Sequence, residues 1–384
     1  MSNDSFTVVT RQSWLSRIGD SLKGIVIGGL LTALAFPLLF WNEGRAVTRD
    51  KTLKEGGRAV VSVAADEVRA ENEGRLVHLS GLAETAAVLS DPEFGVSAPA
   101  LKLDRVVEMY QWDEDERRQT KEKLGGGTET TTTYTYSKTW SERPIRSSGF
   151  KQPNGHQNPA EMPCSSLRKT ADAVTLGAFA LPPSLVAKIN LSEPLAVDPD
   201  GQPGTGRFPR LKAYGGGFYI GADPAAPEVG DLRVTFKVTR PAVVSLIAKQ
   251  TGRTLAPYTT RAGGDLELLQ VGTHTPDAMI RQAQDDNRTL TWLLRGAGFL
   301  VMLIGLNLLL KPLSVLASAV PLLGRLVGAG TGVVAFLMAS GLSLVTVATA
   351  WLLYRPLVGV ALLAAAIVAL AALRRRLKPG PAAR

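Results

Sequence analysis

The feature that most constrains this chain is the placement of its apolar runs. Gly24 to Trp41 carries no charged residue, and comparable stretches return from about Trp292 to Leu373, with a long polar stretch between. In a bilayer each backbone N–H and C=O must be satisfied within its own segment, so such runs become spanning helices. At 1.5 Å per residue, Gly24–Trp41 and Pro356–Leu373 each reach about 27 Å, close to the roughly 30 Å of a hydrocarbon core. Arg295 and Lys311 bracket a shorter uncharged run, and both snorkel from a span over 290–310. The run 326–354 is longer than one untilted span requires, and Arg355-Pro356 marks a tight turn after it.

The expected fold class is therefore an α+β membrane protein, with four transmembrane helices and a large β-rich extramembrane domain between the first and second. The expected divisions are an N-terminal cytoplasmic segment 1–23, spans 24–41, 290–310, 326–354 and 356–373, a β-rich domain 42–289, an interfacial loop 311–325 and a basic tail 374–384. Ala33-Leu34-Ala35 has the form of a signal cleavage site, but apolar residues continue to Trp41, which favours a retained anchor. The tail cluster Arg374, Arg375, Arg376 and Lys378 reads as a cytoplasmic anchor to anionic membrane lipid. Arg45, Arg49, Lys51, Lys54 and Arg58 argue for the opposite orientation, but the charge rule weakens for loops this long.

Within the polar stretch, apolar and polar residues alternate at period two over 58–63, 74–80, 101–112, 134–140, 232–238, 242–248 and 266–271, the pattern of strands with one wet face. Residues 112–134 read as a hairpin with a polar tip, and the Pro- and Gly-rich stretch 198–227 as a linker or long loop. Helices are expected near 181–189 and over 276–291. The net charge of +9 comes with no basic–aromatic stacking surface, so no nucleic-acid partner is expected. The lone Cys164 excludes an intrachain disulfide and a multi-cysteine zinc site. The glycine triplets at 125–127 and 215–217 lack the context of a phosphate cradle. His78, His156 and His274 are far apart in sequence with no metal spacing, so neither a cofactor nor a metal is expected.

Gly24/Gly28 and Gly324/Gly328/Gly332 place small residues four apart, which lets helix backbones approach closely, within one bundle or in a homo-oligomer. Asn307, Ser340, Ser343, Thr346 and Thr349 add polarity to the spans, but no acidic residue or histidine lies within one, which argues against an ion or proton pump.

Several strings stand out together: Asn42-Glu43-Gly44-Arg45 after the first span, His78 in a strand, Glu108-Met109-Tyr110-Gln111-Trp112, Gly155-His156-Gln157-Asn158-Pro159, and Trp351 to Leu357 with Arg355-Pro356. In order and spacing the chain resembles the transmembrane protein 43 family, also called LUMA, over nearly its whole length. The resemblance implies four spans, cytoplasmic termini and a luminal domain or its bacterial equivalent. Animal members are scaffolds of the endoplasmic reticulum and inner nuclear membrane. The Ala-rich, Cys-poor composition and the absence of a terminal lysine pair point to a bacterial member, with its domain in the periplasm. The expected function is a multi-pass scaffold whose β-rich domain makes protein–protein or self-assembly contacts. The alternatives are an oligomeric channel or ligand-responsive pore using Asn307, Ser343 and Thr346, and a membrane-surface enzyme using His78, His156 or Glu108.

Overall fold

The computed structural model describes residues 4–198, 207–357, 359–361 and 364. Its principal elements are strand β1 (Ser5–Gln12), helix α1 (Trp14–Ala59), strands β2 (Leu76–Glu84), β3 (Lys102–Glu122), β4 (Thr128–Ser141), β5 (Leu232–Thr239) and β6 (Ala242–Thr251), and helices α2 (Pro276–Ala317) and α3 (Pro321–Tyr354). The architecture is α+β. Among the described residues three helices, not four, are long and apolar enough to cross a membrane. The expected fourth span, 356–373, falls largely outside the described residues, and the basic tail with Arg374, Arg375, Arg376 and Lys378 falls wholly outside them.

The helices overrun the apolar runs that predict them. Ser13 caps α1 by accepting from the Ser16 N–H at 3.3 Å, and Thr275 caps α2 by accepting from the Ala278 N–H at 3.3 Å, with Pro276 in the first turn. The 46 residues of α1 continue past the apolar run through a polar stretch to Ala59, where a strand is expected from Arg58. Packing explains the overrun. Leu53 is fully buried with Leu76, Leu266 and Met279, and a Cβ on Gly56 would overlap the Leu266 side chain. The helix face is held by tertiary contacts that a local pattern does not reveal.

Two main sheets form the β-rich domain, the first antiparallel and the second mixed, with Val61–Ser62 running parallel to β2. One runs β1–β4–β3–β5 and continues into the hairpin Leu211–Tyr214 and Gly217–Ile220. The other centres on β2 paired with β6, in register from Leu76↔Lys249 to Ala83↔Ala242. Each has its own core: Leu103, Val107, Phe218, Val234 and Phe236 under the first, and Val77, Leu79, Leu176, Val244 and Leu246 under the second. The 211–220 hairpin lies in the stretch expected to be a linker. Gly215 and Gly216, at φ +60° and +80°, make its turn, a backbone conformation that other residues rarely adopt. The chain passes between the sheets at Arg240-Pro241 instead, from the end of β5 into β6.

The β3–β4 hairpin is much longer than expected. Pairing runs from Met109↔Ser141 to Glu122↔Thr128, and β1 adds a third strand from Ser5↔Thr135 to Gln12↔Thr128. Residues 5–12, assigned by sequence to a separate N-terminal segment, are thus the edge strand of the domain's own sheet. The resulting arm has polar residues on both faces. Its tip meets the helices at their far ends. The Trp14 indole N–H donates to the Val315 carbonyl at 2.9 Å, and Arg17 donates to Glu122 at 3.0 Å, to Ser318 Oγ at 3.1 Å and to the Gly126 carbonyl. From Arg17 to Gly56, α1 covers about 58 Å, and β3 can reach about 69 Å, so the arm runs alongside the apolar segments.

Candidate functional site: the polar junction above the spans

At the domain end of the apolar segments, α1, α2 and α3 meet in a buried polar cluster. Glu43 is only 2% exposed. Its carboxylate accepts from Arg295 Nε at 2.6 Å and Nη2 at 2.8 Å, and from the Trp351 indole N–H at 2.7 Å. One residue from each of three helices therefore meets on one carboxylate, with the bidentate geometry that favours arginine. Burial of this pair is tolerable because both oxygens are hydrogen-bonded and the opposite charge is in contact.

Neighbouring residues extend the network. Asn42 is fully buried and donates to the Thr291 carbonyl at 3.1 Å. Arg45 donates to Asn287 Oδ1 at 3.1 Å, Thr291 Oγ1 at 3.1 Å and Asn42 Oδ1 at 3.2 Å, leaving its buried Nε without a partner. Gly44 faces the Tyr354 ring so closely that a Cβ would lie 2.7 Å from Cζ. Aromatic residues surround this level: Trp41 and Trp292 are exposed, and Arg295 lies over the Trp292 ring at 4.7 Å and the Trp351 ring at 5.6 Å. Tryptophans in such a girdle mark a membrane–water interface. Beside the carboxylate opens a cleft of about 400 Å³, lined by Glu43, Asp50, Lys54, Arg288, Arg295 and Arg355 among others.

Of the residues singled out by sequence, Asn42, Glu43, Gly44, Arg45 and Arg355 converge here, and Pro356 follows directly. The others are spread through the domain. Glu108 on β3 accepts from Arg233 at 2.6 and 2.8 Å, and that guanidinium lies over Trp140, which in turn packs against Tyr110 at 5.1 Å. The buried Gln111 holds the Ile145 N–H at 2.7 Å and the Arg143 carbonyl at 3.0 Å. Trp112 meets His156 edge-on at 4.7 Å, while His156 stacks on Tyr136 and faces two acceptors, the Gln152 carbonyl at 2.9 Å and the Asp4 carboxylate at 2.8 Å. His78 lies on the other sheet. Its Nε2 donates to the His274 carbonyl at 2.9 Å and its Nδ1 accepts from Ser62 Oγ at 3.2 Å, and burial pulls its pKa below the ordinary value of 6.5. Each of the three enzyme candidates is occupied by structural partners. Burial likewise pushes the Cys164 thiol up to about 11, which leaves it a poor nucleophile at neutral pH. Among the described residues no three His, Cys, Asp or Glu side chains converge as metal ligands would.

The spaced glycines behave differently from one another. A Cβ on Gly28 would lie 2.6 Å from the Gly305 carbonyl, so α1 and α2 touch backbone to backbone there. Gly24 makes ordinary contact with Leu308, Gly324 and Gly328 face Ser318 and Ser314 within the α2–α3 corner, and Gly332 faces no neighbour among the described residues. Asn307, Ser340, Thr346 and Thr349 donate to carbonyls of their own helices, and Ser343 to Met302 Sδ. Sequence reasoning does not single out Asn287 or Thr291, reads Arg295 as a snorkelling charge and names Trp351 only within a family string. Only the polar interruptions before the 296–310 run hinted at the α2 partners.

The family described as transmembrane protein 43 matches residues 109–356. Transmembrane protein 43 of Rattus norvegicus is 39% identical over 355 residues, covering 90% of this chain and 88% of the relative. The Homo sapiens protein is 37% identical over 380 residues, covering 96% and 93%, and the Drosophila melanogaster homolog 33% over 336 residues, covering 85% and 88%. No solved structure matches. These relatives are animal proteins and lend no support to the expected bacterial inner membrane and periplasm, and their names carry no enzymatic term. With three apolar helices among its described residues and relatives aligned across almost its whole length, this multi-pass membrane chain belongs to the transmembrane protein 43 family.

Proposed function

We propose that the protein is a membrane scaffold whose β-rich domain makes protein contacts, first with other copies of itself. The arm supports this reading. A three-stranded polar sheet beside apolar helices has neither a hydrophobic face nor lipid-compatible edges, and exposed strand edges are not tolerated in hydrocarbon. Packing arm to arm within an assembly shields those strands, and β1, with Phe6 and Val9 exposed on it, offers an edge that no strand among the described residues pairs. Native mass spectrometry of the full chain in membrane-derived nanodiscs, with Val9→Cys crosslinking in a Cys164→Ser background, tests it. The expected result is an oligomer joined through β1; a strict monomer without crosslink overturns the reading.

The same arm favours a second reading, an oligomeric channel, because polar arms gathered inside a ring of apolar helices enclose water. Ion flux through liposomes reconstituted with the crosslinked oligomer separates the two, since a scaffold leaves flux at background.

A further inference from the structure

The cleft beside Glu43 has a charge balance that its own residues do not settle. Four cationic side chains line it against two carboxylates. Glu43 is already held by Arg295 and Trp351, and Asp50 by Lys54 at 2.8 Å. Arg288 has only a loose, exposed pair with Asp285 at 3.5 Å, on the solvent side. The Arg355 guanidinium makes no hydrogen bond or ion pair among the described residues and meets Glu43 only through a longer-range attraction. Two guanidinium groups thus border one cleft with their donors largely unused.

The cleft's position specifies what fits. Arg295 is the last charge before the uncharged run of α2, so the floor of the cleft lies at the edge of the hydrocarbon. Trp292 forms part of its wall and is exposed toward the level where lipid begins. From Glu43 to Lys54 the wall rises about 16 Å along α1, enough to pass through the headgroup layer. An oxyanion held here sits where a phospholipid carries its phosphate, with acyl chains continuing down the apolar helix faces. Arginine is the side chain best matched to phosphate oxygens in fork geometry.

We infer that this cleft binds the phosphate of an anionic phospholipid in the leaflet on the domain side, through Arg288 and Arg355. The proposal uses no residue of the basic tail and is independent of whether the chain self-assembles.

The test uses the full chain, delipidated in detergent and titrated with phosphatidylglycerol or phosphatidylcholine, with bound lipid counted by native mass spectrometry. Phosphatidylglycerol is expected to bind preferentially. Arg288→Gln and Arg355→Gln are each expected to weaken its binding about tenfold, the scale of one lost charge-assisted contact. Arg374→Gln combined with Arg375→Gln and Arg376→Gln leaves the binding in place, and soluble glycerol 3-phosphate fails to displace the lipid. Arg288 is mostly exposed on its helix, so its variant decides the matter even where Arg355→Gln fails to fold. Wild-type lipid binding by Arg288→Gln overturns the proposal. So does displacement by glycerol 3-phosphate, which would make the cleft a free-anion site, or loss confined to the tail variant.

Discussion

Glu43 carries the clearest single-residue consequence. Glu43→Gln leaves the Arg295 guanidinium facing a neutral amide in a buried setting, and breaking such a pair costs about 3 kcal/mol. Arg11→Gln removes an exposed pair with Glu129 that solvent already screens, and costs far less. Unfolding of both variants in the same detergent is expected to separate them in that order. His78 gives a pH dependence with a definite sign. Its folded pKa is lowered, so between that value and the ordinary 6.5 the unfolded chain binds more protons. Its contribution is fully present above about 6.5 and is lost as pH falls through the folded value. A pH series of melting temperatures is expected to show this slope in the wild type and a shallower one in His78→Phe. The string containing Glu43 is visible in the sequence because a charge sits immediately after an apolar run. Its partner Arg295 reads equally well as a snorkelling residue, because nothing local says that the two helices meet there.

Two element contacts decide how the helices and the arm are held. Gly28 and Gly305 let α1 and α2 touch at the backbone, and Leu at either position forces them apart at a cost of about 1–3 kcal/mol. Melting of Gly28→Leu and Gly305→Leu is expected to fall by similar amounts, while Gly332→Leu, with no close neighbour among the described residues, changes little. At the other contact, Arg17→Ala removes two hydrogen bonds that pin the arm tip to α1, at Glu122 and Gly126, and a third to Ser318 at the end of α2. Faster hydrogen exchange confined to residues 122–128, with little change in global stability, is the expected result. The Gly28 spacing is legible in sequence, whereas Gly24 and Gly332 share that spacing without the close contact. Periodicity places a residue on a helix face but does not say which face finds a neighbour. The strand length of β3 was missed for a related reason. Its outer half, Asp113 to Glu122, is charged on both faces, and only pairing with β4 and β1 makes it a strand.

On the scale of the whole molecule, the arm tip and the body of the domain lie at opposite ends of the apolar helical segments. In a Cys164→Ser background, Leu124→Cys at the tip and Val88→Cys in the domain body are both well exposed. A membrane-impermeant maleimide is expected to label them from opposite faces of oriented vesicles, and labelling of both from one face would contradict this arrangement. The sequence by itself determined that the chain is a membrane protein, where its apolar segments lie, that a β-rich domain sits between them, and which family it resembles. Those properties follow from local physics: uncharged length sets a spanning helix, and alternation at period two sets a strand. The tertiary structure alone decided that Glu43, Arg295 and Trp351 meet on one carboxylate, that residues 5–12 join the domain's sheet, and that the arm returns to the helix ends. These depend on contacts between residues hundreds of positions apart, such as Glu43 with Trp351 and Trp14 with Val315. Such contacts form because burying a charge or indole N–H demands a partner, and no periodicity in the chain names which partner that will be.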